Sequence, residues 1–243
     1  MNTTTIASIV RGDAAIFPPY LYDAYRSTIR RAPGLPLIDV PLTLSELTGP
    51  GPRISAITPE DADLTRNAGT GGEAIGQRII VSGRVLDAQG HPIPHTLVEI
   101  WQANAAGRYI HRRDQWPGPL DPHFLGIGRC HTDANGVYRF LTVRPGAYPW
   151  KNHPNAWRPA HIHFSLFGPN WGTRLITQMY FQDDPLFFQD PIFQSVPAEA
   201  GQRLIASYDH EQTQPEWALG WRWDIVLAGP SATPFEPIRE EQP

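Results

Sequence analysis

The sequence predicts an all-β fold: a mainly antiparallel β-sandwich with long ordered loops, an irregular N-terminal arm and one or two short helices. Three observations carry this reading. Short apolar stretches rich in Val, Ile, Phe, Trp and Tyr recur along the chain, and such residues suit a pleated, half-buried surface. Twenty-six prolines and 21 glycines lie between and around those stretches, which favours short elements over long helices. A chain of 243 residues with 41% hydrophobic content is long enough to enclose one large core.

Residues 1–75 read as an arm that wraps its own domain or a partner subunit. "RRAPGLPLIDVPLTLSELTGPGPR" is broken too often by proline to hold a long helix, although Leu42 to Leu47 can form one short turn. Residues 76–243 read as the sandwich domain. "RIIVSGRVLDAQGHPIPHTLVEIWQAN" gives an apolar strand, a turn at Asp87 to Gly90 and a second strand at Leu97 to Gln102. In "HTDANGVYRFLTV" the Asn135-Gly136 dipeptide tolerates the positive φ of a tight turn, and a hairpin is expected around it. "RPAHIHFSLFG", "RLITQMYF" and "WRWDIVLAG" supply further strands. In "PAEAGQRLIASYDH", Leu204, Ile205 and Tyr208 share a helical face, so a helix is expected from Pro197 or Ala198.

Charge is nearly balanced, 20 Lys and Arg against 24 Asp and Glu, with no basic stretch suited to nucleic acid. No apolar run is long enough for a bilayer or a secretory signal, and the lone Cys130 fits a reducing compartment. A cytoplasmic protein with no nucleic-acid or membrane partner is the expectation.

"WRPAHIHFSL" raises the question of chemistry. In a strand, positions two apart share a face. His161, His163 and Ser165 then look one way, and Ala160, Ile162, Phe164 and Leu166 the other. Two imidazoles on one face can reach a single metal ion, or they can be core histidines bonded to backbone. No HExxH or paired-cysteine spacing occurs, so zinc lacks its usual partners. Two tyrosines in loop contexts, Tyr109 in "WQANAAGRYIH" and Tyr148 in "RPGAYPW", offer oxygen instead. A free phenol ionises near pH ~10, so a tyrosinate at neutral pH needs a strong cation such as ferric iron. Alternatively, each is a half-buried side chain with its hydroxyl on backbone.

"WQANAAGRYIH", "RPGAYPW", "WRPAHIHF" and "LITQMYF", in that order, closely resemble the intradiol ring-cleaving dioxygenases, and the resemblance runs from about Tyr25 to the C-terminus. It implies a mononuclear non-haem Fe(III) site with Tyr109, Tyr148, His161 and His163 as protein ligands. It also implies a base role for Tyr148 once substrate displaces it, and Arg158 beside the bound ring with Gln178 as its companion. Trp101, Trp150 and Ile192 match pocket-wall positions, and Tyr25, in "AYRST", matches a tyrosine that holds a substrate carboxylate. Arg158 can equally be a structural arginine paired with a carboxylate, and Gln178 can simply bond across the sheet.

The substrates implied are an aromatic diol and O2. Protocatechuate (3,4-dihydroxybenzoate) would be opened to 3-carboxy-cis,cis-muconate in aromatic degradation through the β-ketoadipate pathway. Catechol and hydroxyquinol are the alternatives, but relatives for those carry a helical N-terminal region that this proline-rich arm does not match. The resemblance further implies an α chain in a higher-order hetero-oligomer. Ala147, where the family usually has proline, Ile110, where arginine is common, and "FQDDPLFFQDPI" depart from the pattern. From another class, a non-catalytic transthyretin-like binding sandwich would fit "VSGRVLDAQGHPIPHTLVEIW" by itself; it would be colourless where an iron tyrosinate is red.

Overall fold

The computed structural model describes residues 15–36, 38, 57–167 and 174–234. The expected helical turn at Leu42 to Leu47 lies outside the described residues. Eleven strands are described: β1 (Arg78–Leu86), β2 (Leu97–Trp101), β3 (Ile127–His131), β4 (Val137–Val143), β5 (Tyr148–Pro149), β6 (Trp157–Arg158), β7 (His161–Phe167), β8 (Arg174–Phe181), β9 (Ile205–Gln214), β10 (Ala218–Arg222) and β11 (Ile225–Val226). Among the described residues, helices are confined to short turns such as Ser27–Arg31, Pro191–Gln194 and Ala198–Gly201.

One hydrogen-bonded path runs β11-β1-β10-β9-β8-β7-β2-β3, with β4 on the other side of β1 and β5-β6 as a separate ribbon. Pairing is antiparallel except at β1-β10, β1-β11 and β8-β9. β9 is the joint, since Ile205 and Ala206 pair with β8 while Ser207 onward pairs with β10. The two halves on either side of it face each other. Ile79, Val81, Tyr138 and Phe140 from one share a single core with Val98, Ile100, Ile162 and Phe164 from the other. Phe164 touches the rings of both Tyr138 and Phe140 edge-on, at 5.7 and 5.8 Å. This is a sandwich, with aromatic edges across the middle as ring quadrupoles prefer. Leu64 and Ala74, ahead of β1, are buried in the same core.

Two local expectations are corrected. The Asn135-Gly136 turn forms, with the Gly136 N–H donating to the Asp133 carbonyl at 3.0 Å and φ of 70° at Gly136. Its flanking strands do not pair: β3 joins β2 and β4 joins β1, so the chain arches between sheets. The Asp133 side chain tightens the arch by accepting from the N–H groups of Asn135 and Val137, which fixes the turn but not where the strands go. The helix over 197–210 stops early. Ala198–Gly201 is followed by a 3-10 turn at Gln202–Leu204, and Ile205 begins β9. Helical spacing there is overruled by the parallel pairing of Ile205 and Ala206 with β8, which buries Ala206 completely.

Candidate metal centre

β7 makes the floor of the site. Ile162, Phe164 and Leu166 enter the core, which leaves His161 and His163 on the opposite face, ring centroids 4.9 Å apart. His161 Nδ1 lies 2.7 Å from the Pro159 carbonyl, so it carries the proton and leaves the Nε2 lone pair facing the cluster. Burial, then the Arg158 charge, then His163 hold the His161 imidazole well below its usual range. Burial and Arg158 pull His163 from 6.5 to about 3. Both rings are therefore neutral, the form that binds metal.

Two loops bring the tyrosines to those rings. Asn104, just past β2, accepts with its side-chain oxygen from the N–H groups of Ala106 and Arg108 and curls the chain. Asp114 then accepts from the Tyr109 N–H at 2.8 Å and from the Arg108 guanidinium at 3.4 Å. Tyr148 arrives on the facing loop. Its approach needs two glycines: a Cβ at Gly107 would stand 2.3 Å from the Ala147 carbonyl oxygen, and one at Gly146 2.5 Å from that of Ala105. Only chains without side chains can touch there. Tyr109 and Tyr148 consequently meet edge-on at 5.5 Å, with Tyr109 6.5 Å from His163 and Tyr148 5.5 Å from His161.

The Tyr148 hydroxyl is 3.3 Å from His161 Nε2. The Tyr109 hydroxyl is buried with no hydrogen-bond partner among the described residues, although burial and the neighbouring Tyr148 push its ionisation well above the usual phenol range. An orphaned buried hydroxyl beside two neutral imidazoles is a donor set short of a cation. Among the described residues no three His, Cys, Asp or Glu side chains gather to hold a metal, so a site of two histidines and one carboxylate is absent from them. Two phenol oxygens, anionic once a cation displaces their protons, and two neutral imidazole nitrogens form a donor set that fits ferric iron.

Arg158 stands behind this group. The β5-β6 ladder sets Tyr148 directly opposite it. Its Nη1 is 3.0 Å from His161 Nε2, and Nη2 donates to the Gln178 side-chain oxygen at 2.5 Å and the Tyr180 hydroxyl at 3.0 Å. Nε and Nη2 also reach Asp190 Oδ2, at 3.2 and 3.0 Å. The Arg158 and Asp190 side chains are only 4% and 0% exposed. Burial alone would lower the arginine's proton affinity, but Asp190 and the two nearby tyrosines outweigh it and raise that affinity.

The remaining predicted residues are distributed around the group. Trp101 lies flat on His163. Trp150 lines, with Tyr109, Tyr148, Trp116, Lys151 and Trp157, a cleft of about 760 Å³. Tyr25 is outside that lining and packs edge-on against Trp150 at 5.6 Å, held by Asn152, which bonds the Ala24 carbonyl and the Arg26 N–H. Ile192 and Trp101 are also outside the lining; Ile192 is the second residue of the short helix that Asp190 caps.

Sequence reading missed Asp114, Tyr180 and Asp190. A signal existed for two of them. Asp190 precedes Pro191 in the manner of a helix N-cap, and Tyr180 shares a strand face with Gln178.

A dioxygenase family model matches residues 49–229, and the N-terminal model of the protocatechuate 3,4-dioxygenase beta subunit matches residues 10–43. The chain belongs to the intradiol dioxygenases. It is 56% identical to a protocatechuate 3,4-dioxygenase beta chain of Burkholderia cepacia, over 90% of this chain and 93% of that one. A protocatechuate 3,4-dioxygenase alpha chain of the same species is 29% identical over 67% of this chain and 78% of its own. In fold, this dioxygenase resembles a hydroxyquinol 1,2-dioxygenase of Pseudomonas putida DLL-E4, with a TM-score of 0.53 and 21% identity over 86% of this chain and 71% of the other. Among the described residues of this intradiol dioxygenase, no helix is long and apolar enough to cross a membrane.

Proposed function

We propose that this chain is the catalytic β chain of a protocatechuate 3,4-dioxygenase, which breaks the bond between the two hydroxyl-bearing carbons and adds one atom of O2 to each, giving 3-carboxy-cis,cis-muconate. The observation that carries the reading is the convergence of Tyr109, Tyr148, His161 and His163 at the end of an aromatic cleft, in a chain 56% identical to a beta chain of that name.

Tyr109, Tyr148, His161 and His163 would hold non-haem iron. Ferric iron, when bound there, draws electron density from the diol so that the aromatic ring becomes open to dioxygen. The chain's own groups do the rest. Tyr148, which lines the cleft as Tyr109 does, would accept a proton from a diol hydroxyl as a general base when it stands there as the phenolate. Trp116, Trp150 and Trp157 give the planar ring flat walls and exclude water. Arg158, protonated and fixed, holds Nη1 beside His161 at 3.0 Å, and from behind the cluster its charge would stabilise negative charge as it builds on the ring.

The cleft favours an acidic diol. Arg113 and Lys151 line it, whereas the one carboxylate among its described lining residues, Asp114, is engaged by Arg108 and by the backbone of Tyr109 and Trp116. A carboxylated ring gains from that field where catechol does not. The match to an alpha chain at 29% identity supports a related α chain as partner in a hetero-oligomer, acting in β-ketoadipate aromatic catabolism in the cytoplasm.

Purification with the α chain, iron assay and oxygen uptake test the reading. A red, iron-containing complex that consumes O2 with protocatechuate well ahead of catechol is expected. A colourless, metal-free complex overturns it, and equal turnover of catechol overturns the substrate.

A further inference from the structure

We propose that Asp190 is the positioning residue of Arg158: its buried carboxylate fixes one edge of the guanidinium so that the other edge is aimed at the reacting ring. This rests on the role given to Arg158 above. An arginine has five N–H donors in a rigid plane. Here Nε and Nη2, along one edge, are engaged by Asp190 Oδ2, the Gln178 amide oxygen and the Tyr180 hydroxyl. Nη1, on the other edge, meets His161 Nε2 at 3.0 Å, on the side of the tyrosine–histidine cluster. The carboxylate is itself immobilised. Its Oδ1 accepts from the Ile192 N–H at 3.0 Å and starts the Pro191–Gln194 helix, and Oδ2 also meets the Tyr180 hydroxyl at 3.2 Å.

Three elements therefore converge on one guanidinium: β6 carries it, β8 supplies Gln178 and Tyr180, and the turn before the helix supplies Asp190. Of these partners only Asp190 brings a full negative charge, so only it can hold a buried cation in place without competing for the developing charge on the substrate side. A charge-assisted contact on two nitrogens of a planar group fixes its orientation as well as its position. The same carboxylate ties that orientation to the start of the Pro191–Gln194 helix.

The test is a double-mutant cycle in the iron-loaded α/β complex with Asp190→Asn, Arg158→Gln and both together. Asparagine retains an oxygen for the Ile192 N–H but removes the charge facing Arg158. Asp190→Asn is expected to lower kcat by roughly tenfold to a thousandfold with KM changed less than about threefold, the pattern of a lost transition-state interaction. In the Arg158→Gln background the same change is expected to do nothing further to kcat. Anaerobic protocatechuate binding, read from the visible band, should be near parental in every variant. Multiplying losses, or an Asp190→Asn enzyme with parental kcat, overturns the proposal. Should Asp190→Asn alone not accumulate as folded complex, the comparison of Arg158→Gln with the double variant carries the test, since a further tenfold loss there gives Asp190 a role independent of Arg158. Arg158→Gln by itself probes the underlying reading: parental kcat in that variant removes Arg158 from the reaction and Asp190 with it.

Discussion

Trp101 lies flat against His163, with ring centroids 4.8 Å apart and planes only 4° from parallel. The pair faces across the β2-β7 ladder, and on its other side His163 meets the edge of His161 at an interplanar angle of 76°. An imidazole can turn about its Cβ–Cγ bond; this one is sandwiched.

The stacking sets Trp101 against a ring of the proposed iron site, outside the residues that line the cleft. Trp101→Ala should lower iron retention against a competing chelator by about tenfold, as losses of ligand support typically do. Trp101→Phe, which keeps a flat face, should stay within about threefold of the parent. KM for the diol should barely move in Trp101→Phe. Parental iron retention in Trp101→Ala would count against the assignment.

Burial of two neutral imidazoles also predicts how the iron-free chain responds to acid. The folded state resists protonating His163 down to about pH 3, with His161 likewise depressed, whereas the unfolded chain protonates both near pH ~6.5. Below that pH the unfolded state binds more protons, so stability falls as pH falls. Each imidazole contributes a slope of at most about 1.4 kcal/mol per pH unit between roughly pH 6 and pH 4. Urea unfolding of the iron-free chain across that range should show the loss. In His163→Gln the slope should be shallower by about one proton, and an identical slope would exclude His163 as a source.

How far the sequence could be read follows from what each signal encodes. The two faces of β7 were legible because alternation at a period of two is local, and Ile162 and Phe164 join the apolar core while both faces are covered. The pairing of His161 with Tyr148 was legible only through resemblance, since Gly107 and Gly146 permit the loop contact but do not announce it. Asp190 was out of reach for a different reason. It lies 32 positions beyond Arg158, in a segment whose local chemistry announces a helix start, and nothing in that chemistry says which cation its second oxygen will meet. The lost Asn135-Gly136 hairpin makes the same point, because turn chemistry is local and strand partnership is global.

Tyr109 and Tyr138 make a controlled pair for the last prediction. Both are tyrosines with buried hydroxyls, but Tyr138 donates to the Trp223 carbonyl at 2.6 Å, and Tyr109 has no partner among the described residues. In iron-free protein a buried hydroxyl without a bond is a liability of about 1–3 kcal/mol, whereas a satisfied one contributes about 1 kcal/mol. Tyr138→Phe should therefore destabilise the iron-free chain by about 1 kcal/mol, and Tyr109→Phe should stabilise it by a similar amount. On adding ferric iron the order should reverse in colour: Tyr138→Phe reddens like the parent, and Tyr109→Phe loses part of the band. A hydroxyl that costs stability in the empty chain and produces colour in the loaded one has a ligand's signature. If Tyr109→Phe destabilises the iron-free chain as much as Tyr138→Phe and leaves the spectrum intact, Tyr109 is a structural tyrosine and the donor set loses one of its two phenols.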